Sequence, residues 1–384
     1  MNEKNTQNVI PNVNSKKKEE RNVPDLRFDF DIIWKKVKLG EILKIKSGMD
    51  QKKIETSDGK YNIYGTGGII GKTNTPIYSK ESVGIGRKGT IDKPFYFNEP
   101  FWTVDTLFYS EIKSHYAKFI YYLFQTINWK FYNQSTGVPS LTSRVIENIN
   151  INIPSSIEEE KKIANFLSEI DNRISTQKKI INSLKSLIIS IKNNEYYNVV
   201  GKKHKLEDVL IEINNKTKEN NQYEVLSSTV KGIYKQSEYF DRSVASENNI
   251  GYKIVKKGNI VISPQNLWMG NISFNDKFEA GIVSPSYKIF NINTDFNEKY
   301  IFEMLTTKKS LYLYKTVSEQ GASIVRRNLN LEAFMQLTFN IPSINHQDAF
   351  IKKINSLQNK LSLENKILSL FEQQKQYLLD KLFI

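Results

Sequence analysis

The sequence predicts an α+β fold: two β-rich regions in tandem, each followed by a long helix, the two helices pairing as an antiparallel coiled coil. Three observations carry this. Short β-type runs broken by Gly, Asn, Asp and Pro fill two separate stretches of the chain. Each stretch gives way to a run free of Gly and Pro, with one apolar seam at heptad spacing. The two halves also repeat each other's short sequence boxes.

Residues 1–24 lack hydrophobic periodicity and carry Lys16-Lys17-Lys18-Glu19-Glu20, which predicts a disordered polar tail. Residues 25–157 form the first β-rich domain, with strands expected at 61–64, 82–85, 94–97, 103–109 and 148–153 and a helix at 117–126. The pattern changes after Pro154. Glu158, Glu159 and Glu160 place acids in a first helical turn behind Ser155 or Ser156 as cap. Ile163, Leu167, Ile170, Ile174, Ile181, Leu184, Ile188 and Ile191 then follow in steps of three and four, with Gln177 as the one polar member. Residues 158–200 read as a single spacer helix, about 40 residues or ~60 Å long, and Gly201 ends it. One apolar seam on so long a helix demands a partner helix.

The β-rich texture returns over 201–345, with strands expected at 223–227, 253–256, 258–263 and 281–290 and one helix at 298–314. A second spacer helix covers 346–384. Its seam of Phe350, Ile354, Leu357, Leu361, Leu368, Phe371 and Leu378 has the same spacing as Ile163, Leu167, Ile170, Ile174, Ile181, Leu184 and Ile191. Glu364 falls where Gln177 falls. Val37-Lys38-Leu39-Gly40-Glu41-Ile42-Leu43 recurs as His204-Lys205-Leu206-Glu207-Asp208-Val209-Leu210, and Asn152-Ile153-Pro154-Ser155 recurs as Asn340-Ile341-Pro342-Ser343. The chain is an internal duplication. Tandem units close most easily about a pseudo-two-fold axis, so the helices are expected antiparallel. The expected register sets Ile188 against Phe350, Leu184 against Ile354, Ile174 against Glu364 and Gln177 against Leu361.

Composition narrows the function. The 384 residues carry 55 Lys and Arg against 41 Asp and Glu, a formal charge of +14, which points to a polyanion partner. The absence of Cys excludes disulfides, thiolate metal sites and cysteine nucleophiles, and fits a reducing cytoplasm. His115, His204 and His346 lack metal-ligand spacing. No apolar run reaches the ~18–20 residues of a membrane span.

Two glycine clusters imitate nucleotide sites. Gly65-Thr66-Gly67-Gly68-Ile69-Ile70-Gly71-Lys72-Thr73 has the wrong spacing for a phosphate loop, and Pro76 blocks the helix that would follow. Gly84-Ile85-Gly86-Arg87-Lys88-Gly89 matches a dinucleotide pattern, but a turn-like segment ending in Pro94 follows it. Glu159-Glu160-Lys161 echoes part of a nuclease motif and reads instead as a solvated helix face. No catalytic, cofactor-binding or metal-binding constellation emerges.

The duplicated plan, with 61–73, 84–90 and Ser135-Thr136-Gly137-Val138-Pro139-Ser140-Leu141-Thr142-Ser143-Arg144 in the first half, resembles the DNA-specificity subunit of a Type I restriction–modification enzyme. In the second half 258–264, 281–290 and 320–327 are similar to that family's target-recognition variants. The resemblance covers about residues 26–384. It implies a non-catalytic subunit in which two target-recognition domains, 25–157 and 201–345, read the halves of a bipartite double-stranded DNA target. It implies two modification subunits that use S-adenosylmethionine to methylate adenine N6, and restriction motor-nuclease subunits that use ATP and magnesium.

DNA reading requires phosphate clamps and base-edge donors. Lys72, Arg87 and Lys88 stand in Gly-rich turns. Ser140, Thr142 and Arg144 form a string of hydroxyl and guanidinium donors, matched in the second half by Ser323, Arg326 and Arg327. Gln265 and Asn266 follow a strand–Pro turn. Tyr287 and Trp102 read as core. The competing reading is a non-catalytic coiled-coil scaffold whose basicity is compositional and which has no sequence-specific DNA binding.

Overall fold

The computed structural model describes residues 23–30, 32–239, 248–320 and 326–384. It divides into two compact units, residues 1–178 with 366–384, and residues 179–365. Most of the expected tail lies outside the described residues.

In the first unit, strand Lys35–Lys38 pairs antiparallel with Asn150–Ile153 and so brings the two ends of the β-rich region together. A helical turn, Leu39–Ile42, follows because the Glu41 carboxylate accepts the Lys38 N–H at 2.7 Å. A four-stranded antiparallel sheet runs in the spatial order Leu43–Ser47, Leu107–Ile112, Ser82–Gly86, Phe95–Phe97. A second sheet runs in the order Glu55–Thr56, Gly68–Thr73, Tyr61–Gly65, Phe101–Thr103, its last pair parallel. The expected strand over 103–109 is therefore two strands in different sheets, separated by a bend in which the Leu107 N–H bonds the Val104 carbonyl. Helix Ala117–Thr126 forms where its aromatic and aliphatic spacing predicts it. It buries Phe119, Ile120 and Leu123 in a core shared with Trp34, with Ile163, Leu167 and Ile170 of the first long helix, and with Leu378, Leu382 and Phe383 of the second.

The second unit repeats this plan. Strand Lys202–Lys205 pairs with Thr338–Ile341, and the turn Leu206–Val209 follows, with Asp208 accepting the Lys205 N–H at 3.1 Å. Its four-stranded sheet runs Leu210–Ile213, Lys288–Ile292, Ile260–Ile262, Ile272–Phe274, the same antiparallel order as in the first unit. The expected strand over 281–290 divides into Ala280–Val283 and the start of Lys288–Ile292 at the Ser284–Tyr287 turn. The single helix expected over 298–314 is two, Glu298–Leu305 and Lys308–Thr316. Thr307 is the cause. Its hydroxyl accepts the Ser310 N–H at 3.2 Å and starts a new helix instead of continuing the old one.

The long helices span Ile157–Asn198 and Ile344–Leu382. Each unit takes the first part of one and the last part of the other. In the first unit Asp171 pairs with Lys375 at 2.7 Å and Lys178 with Glu372 at 3.1 Å, so residue numbers rise along one helix as they fall along the other. The helices are antiparallel there. On the first helix Ile163, Leu167, Ile170, Ile174, Gln177, Ile181, Leu184 and Ile188 are all buried. On the second Phe350 and Ile354 are buried, while Leu357, Leu361, Glu364, Leu368 and Phe371 are half-buried.

The register differs from the expected one. It would set Asp171 opposite Ile367 and Ile188 opposite Phe350. Instead Asp171 meets Lys375, and in the second unit Phe350 packs edge-on to Tyr196 at 5.5 Å. Both shifts are about one heptad. A seam that repeats every seven residues is nearly as well satisfied after such a slip. The choice falls to what lies beyond the seam, namely Tyr196 and the apolar end Leu378, Leu379, Leu382 and Phe383.

Candidate nucleic-acid interface

In the first unit the strand Ser82–Gly86 runs into a turn whose backbone is fixed on both sides. The Arg87 N–H donates to the Thr106 carbonyl at 2.8 Å, and the Arg87 carbonyl accepts the Leu141 N–H at 2.9 Å. Lys88 bridges to Ser140, and the Gly89 N–H donates to the Pro139 carbonyl at 2.9 Å. Gly89 has φ +87°, a conformation that disfavours side chains. A Cβ on Gly86 would collide with the Thr90 carbonyl oxygen. These glycines serve a tight turn and close backbone approach, and no helix begins at Gly89. The other glycine cluster, Gly65–Thr73, forms most of an antiparallel hairpin. Its tip approaches the same turn, because a Cβ on Gly89 would stand 3.8 Å from the Thr66 hydroxyl.

The structure thus brings Arg87, Lys88 and Ser140 together, with Thr66 beside them. Thr66 was missed; a polar residue at a glycine-rich hairpin tip is the signal that could have found it. Thr142 caps the short helix Ser143–Glu147 by accepting the Val145 N–H at 3.4 Å, and Arg144 projects exposed from the first turn of that helix. Lys72 is exposed near the far end of the hairpin, opposite Asn62 and four residues from Gly68, roughly 13 Å along the strand. It stands apart from the group.

The second unit builds a corresponding junction. The segment after strand Ile260–Ile262 is held to the segment before helix Leu331–Met335 by the Arg327 N–H, which donates to the Gln265 carbonyl at 3.1 Å. Gln265 is exposed, and Asn266 turns the chain by accepting the Met269 and Asn271 N–H groups on its carbonyl. Trp268 is half-buried beneath two cations, with Lys315 Nζ 5.8 Å and the Arg327 guanidinium 6.0 Å from its ring. Arg327 is half-buried, and Arg326 beside it is exposed. Ser323 lies outside the described residues. Trp102 is core as expected, and Tyr287 is half-buried against an apolar cluster.

Glu159 and Glu160 correct the reading of a solvated helix face. Both are buried. Glu159 accepts two bonds from the Arg27 guanidinium, at 2.8 and 2.9 Å, and one from the Trp34 indole N–H at 3.0 Å. Glu160 accepts the Tyr116 N–H at 2.8 Å and lies 2.6 Å from His115 Nδ1. The acids at the helix start anchor the β-rich region to the helix. Buried carboxylates need such partners, and those partners are distant in sequence, which concealed the role.

Among the described residues no group of three or more His, Asp or Glu is placed to hold a metal ion, and no helix is long and apolar enough to cross a membrane. Burial lowers the affinity of the Lys253 ammonium for its proton, and that ammonium donates to the Tyr287 carbonyl at 2.8 Å.

Residues 32–186 match the family model described as the Type I restriction modification DNA specificity domain. The crystal structure of the Type-I restriction-modification system S subunit from M. genitalium aligns at TM-score 0.56 and 16% identity, over 94% of this chain and 99% of that one. A chain from a structural study of complex assembly and conformational transition of the type I R-M system aligns at TM-score 0.53 and 10% identity, over 91% and 97%. A search of curated proteins finds no match. At such identities the solved structures establish the fold alone, and the family match covers residues 32–186. The chain therefore carries that DNA specificity domain at residues 32–186, on a doubled fold similar to that of solved Type I restriction–modification S subunits.

Proposed function

We propose that this subunit reads a bipartite double-stranded DNA target, with residues 25–157 reading one half and 201–345 the other. Residues 158–200 and 346–384 are the spacer helices that set the separation of the half-sites. The observation that carries this reading is the repeated junction: Arg87 to Leu141 in one unit and Gln265 to Arg327 in the other, each behind a central strand of the same four-stranded sheet. Two equivalent loop clusters in one chain favour two equivalent half-sites.

The residues that serve DNA reading, by contact or by holding the contacting loops, are Lys72, Arg87, Lys88, Ser140, Thr142 and Arg144 in the first region and Gln265, Asn266, Ser323, Arg326 and Arg327 in the second. Arg suits guanine or phosphate, Gln and Asn suit adenine, and Ser and Thr suit phosphate or either base edge. The subunit scaffolds two modification subunits, which bring S-adenosylmethionine and methylate adenine N6 in each half-site. Motor-nuclease subunits that use ATP and magnesium join for restriction. Methylome sequencing of a strain with and without this chain tests the proposal. One bipartite adenine motif should vanish with the chain; an unchanged set of methylated motifs would refute it.

A further inference from the structure

At both junctions two adjacent cations meet different surroundings. The Arg87 guanidinium lies 5.9 Å from the Phe108 ring, and its Nη1 donates to the Asp105 carbonyl at 3.4 Å. The Arg327 guanidinium is held more firmly. Its Nε donates to Ser318 Oγ at 2.9 Å, and its Nη2 donates to the Ser318 carbonyl at 2.6 Å and the Lys315 carbonyl at 3.5 Å. It also faces the Trp268 ring. A guanidinium whose fork is spent on carbonyls has little left to offer a base or phosphate. The neighbours differ. Lys88 and Arg326 are exposed, and among the described residues neither side chain has a partner.

We infer that each unit divides its cation pair between two roles: Arg87 and Arg327 are positioning residues that hold the reading loops, and Lys88 and Arg326 contact the DNA phosphates. This rests on the proposed reading of double-stranded DNA and assigns unlike tasks to residues that the sequence presents as alike.

The test uses the full chain assembled with its modification subunits, on a duplex carrying the methylated motif and on a scrambled duplex. Lys88→Ala and Arg326→Ala should each reduce the slope of log affinity against log salt by about 0.9, the loss of one phosphate contact. Amide hydrogen exchange at residues 140–141 and 327–329 should stay as in the parent. Arg87→Met and Arg327→Met should weaken binding with the slope retained and speed exchange at those amides, with the larger effect at Arg327. Arg326→Lys should keep affinity within about twofold, whereas Arg327→Lys should behave like Arg327→Met, because lysine lacks the fork. If Arg327→Met does not fold, Arg327→Lys carries the same readouts. The division is overturned if Arg87→Met or Arg327→Met flattens the salt slope with exchange unchanged, or if Lys88→Ala and Arg326→Ala leave the slope intact. A parent complex that fails to prefer its motif over the scrambled duplex overturns the DNA-recognition reading itself, a distinct result.

Discussion

Tyr122 donates its hydroxyl hydrogen to Asp171 across 2.8 Å, tying the short helix of the first β-rich region to the first long helix. Asp171 also takes Lys375 of the second long helix at 2.7 Å. The second unit uses the same chemistry: Tyr300 donates to Glu195 at 2.8 Å, and His346 lies 2.8 Å from the same oxygen. In each unit one carboxylate on the first long helix collects a recognition-region tyrosine and a group from the second long helix.

Tyr122→Phe and Tyr300→Phe should each lower stability by about 1.5–3 kcal/mol, the scale of a hydrogen bond to a charged group, and leave the DNA target unchanged. Denaturant unfolding and motif mapping check the two halves of that statement. Burial first, then the carboxylate bond, pushes both hydroxyls well above their ordinary value of 10.0. A group raised in the folded state contributes stability that is full below its unfolded pKa and is lost as pH rises toward the folded one. The parent should therefore lose stability above about pH 10 more steeply than either variant. Parallel curves for all three would remove the tyrosines from this role.

Arg144 projects from a capped helix turn and is exposed. Arg144→Ala should weaken binding of the assembled complex about tenfold and relax preference in one half-site only, since a good base contact discriminates by about 1–3 kcal/mol. Binding to duplexes randomised in one half at a time measures this. Uniform weakening on all sequences would make Arg144 a phosphate contact.

The helix register can be checked by cross-linking in a chain that contains no Cys. Asp171→Cys with Lys375→Cys should join readily with a short bismaleimide, and Asp171→Cys with Ile367→Cys should not. Gln177 is buried at 6% exposure, so Gln177→Leu with Glu364→Leu should raise unfolding free energy by about 1 kcal/mol while leaving the cross-linking pattern unchanged. Equal cross-linking of both cysteine pairs in the otherwise unchanged chain would mean that the register is not fixed.

Much of this was legible in the sequence, for identifiable reasons. The repeated Leu39-Gly40-Glu41-Ile42 and Leu206-Glu207-Asp208-Val209 boxes mark helical turns capped by their own third residue, a local rule. The seam positions follow from a period that sequence displays directly. What sequence hid depends on distant partners. Glu159 and Glu160 resemble solvated acids until Arg27, Trp34 and Tyr116 arrive from elsewhere in the chain. Arg87 and Lys88, or Arg326 and Arg327, are equivalent in sequence, and only tertiary contacts separate the clamp from the free cation. The helix register was lost because a heptad seam fixes position only to within one heptad.

The proposal that two closed β-rich regions each read their own half of one target can be tested in the cell. Methylome sequencing after replacing residues 26–157 with the corresponding region of a related subunit tests it most directly. A new bipartite adenine motif is expected, one that differs from the parent's in one half and keeps the other half and the spacing. A motif altered in both halves would contradict it.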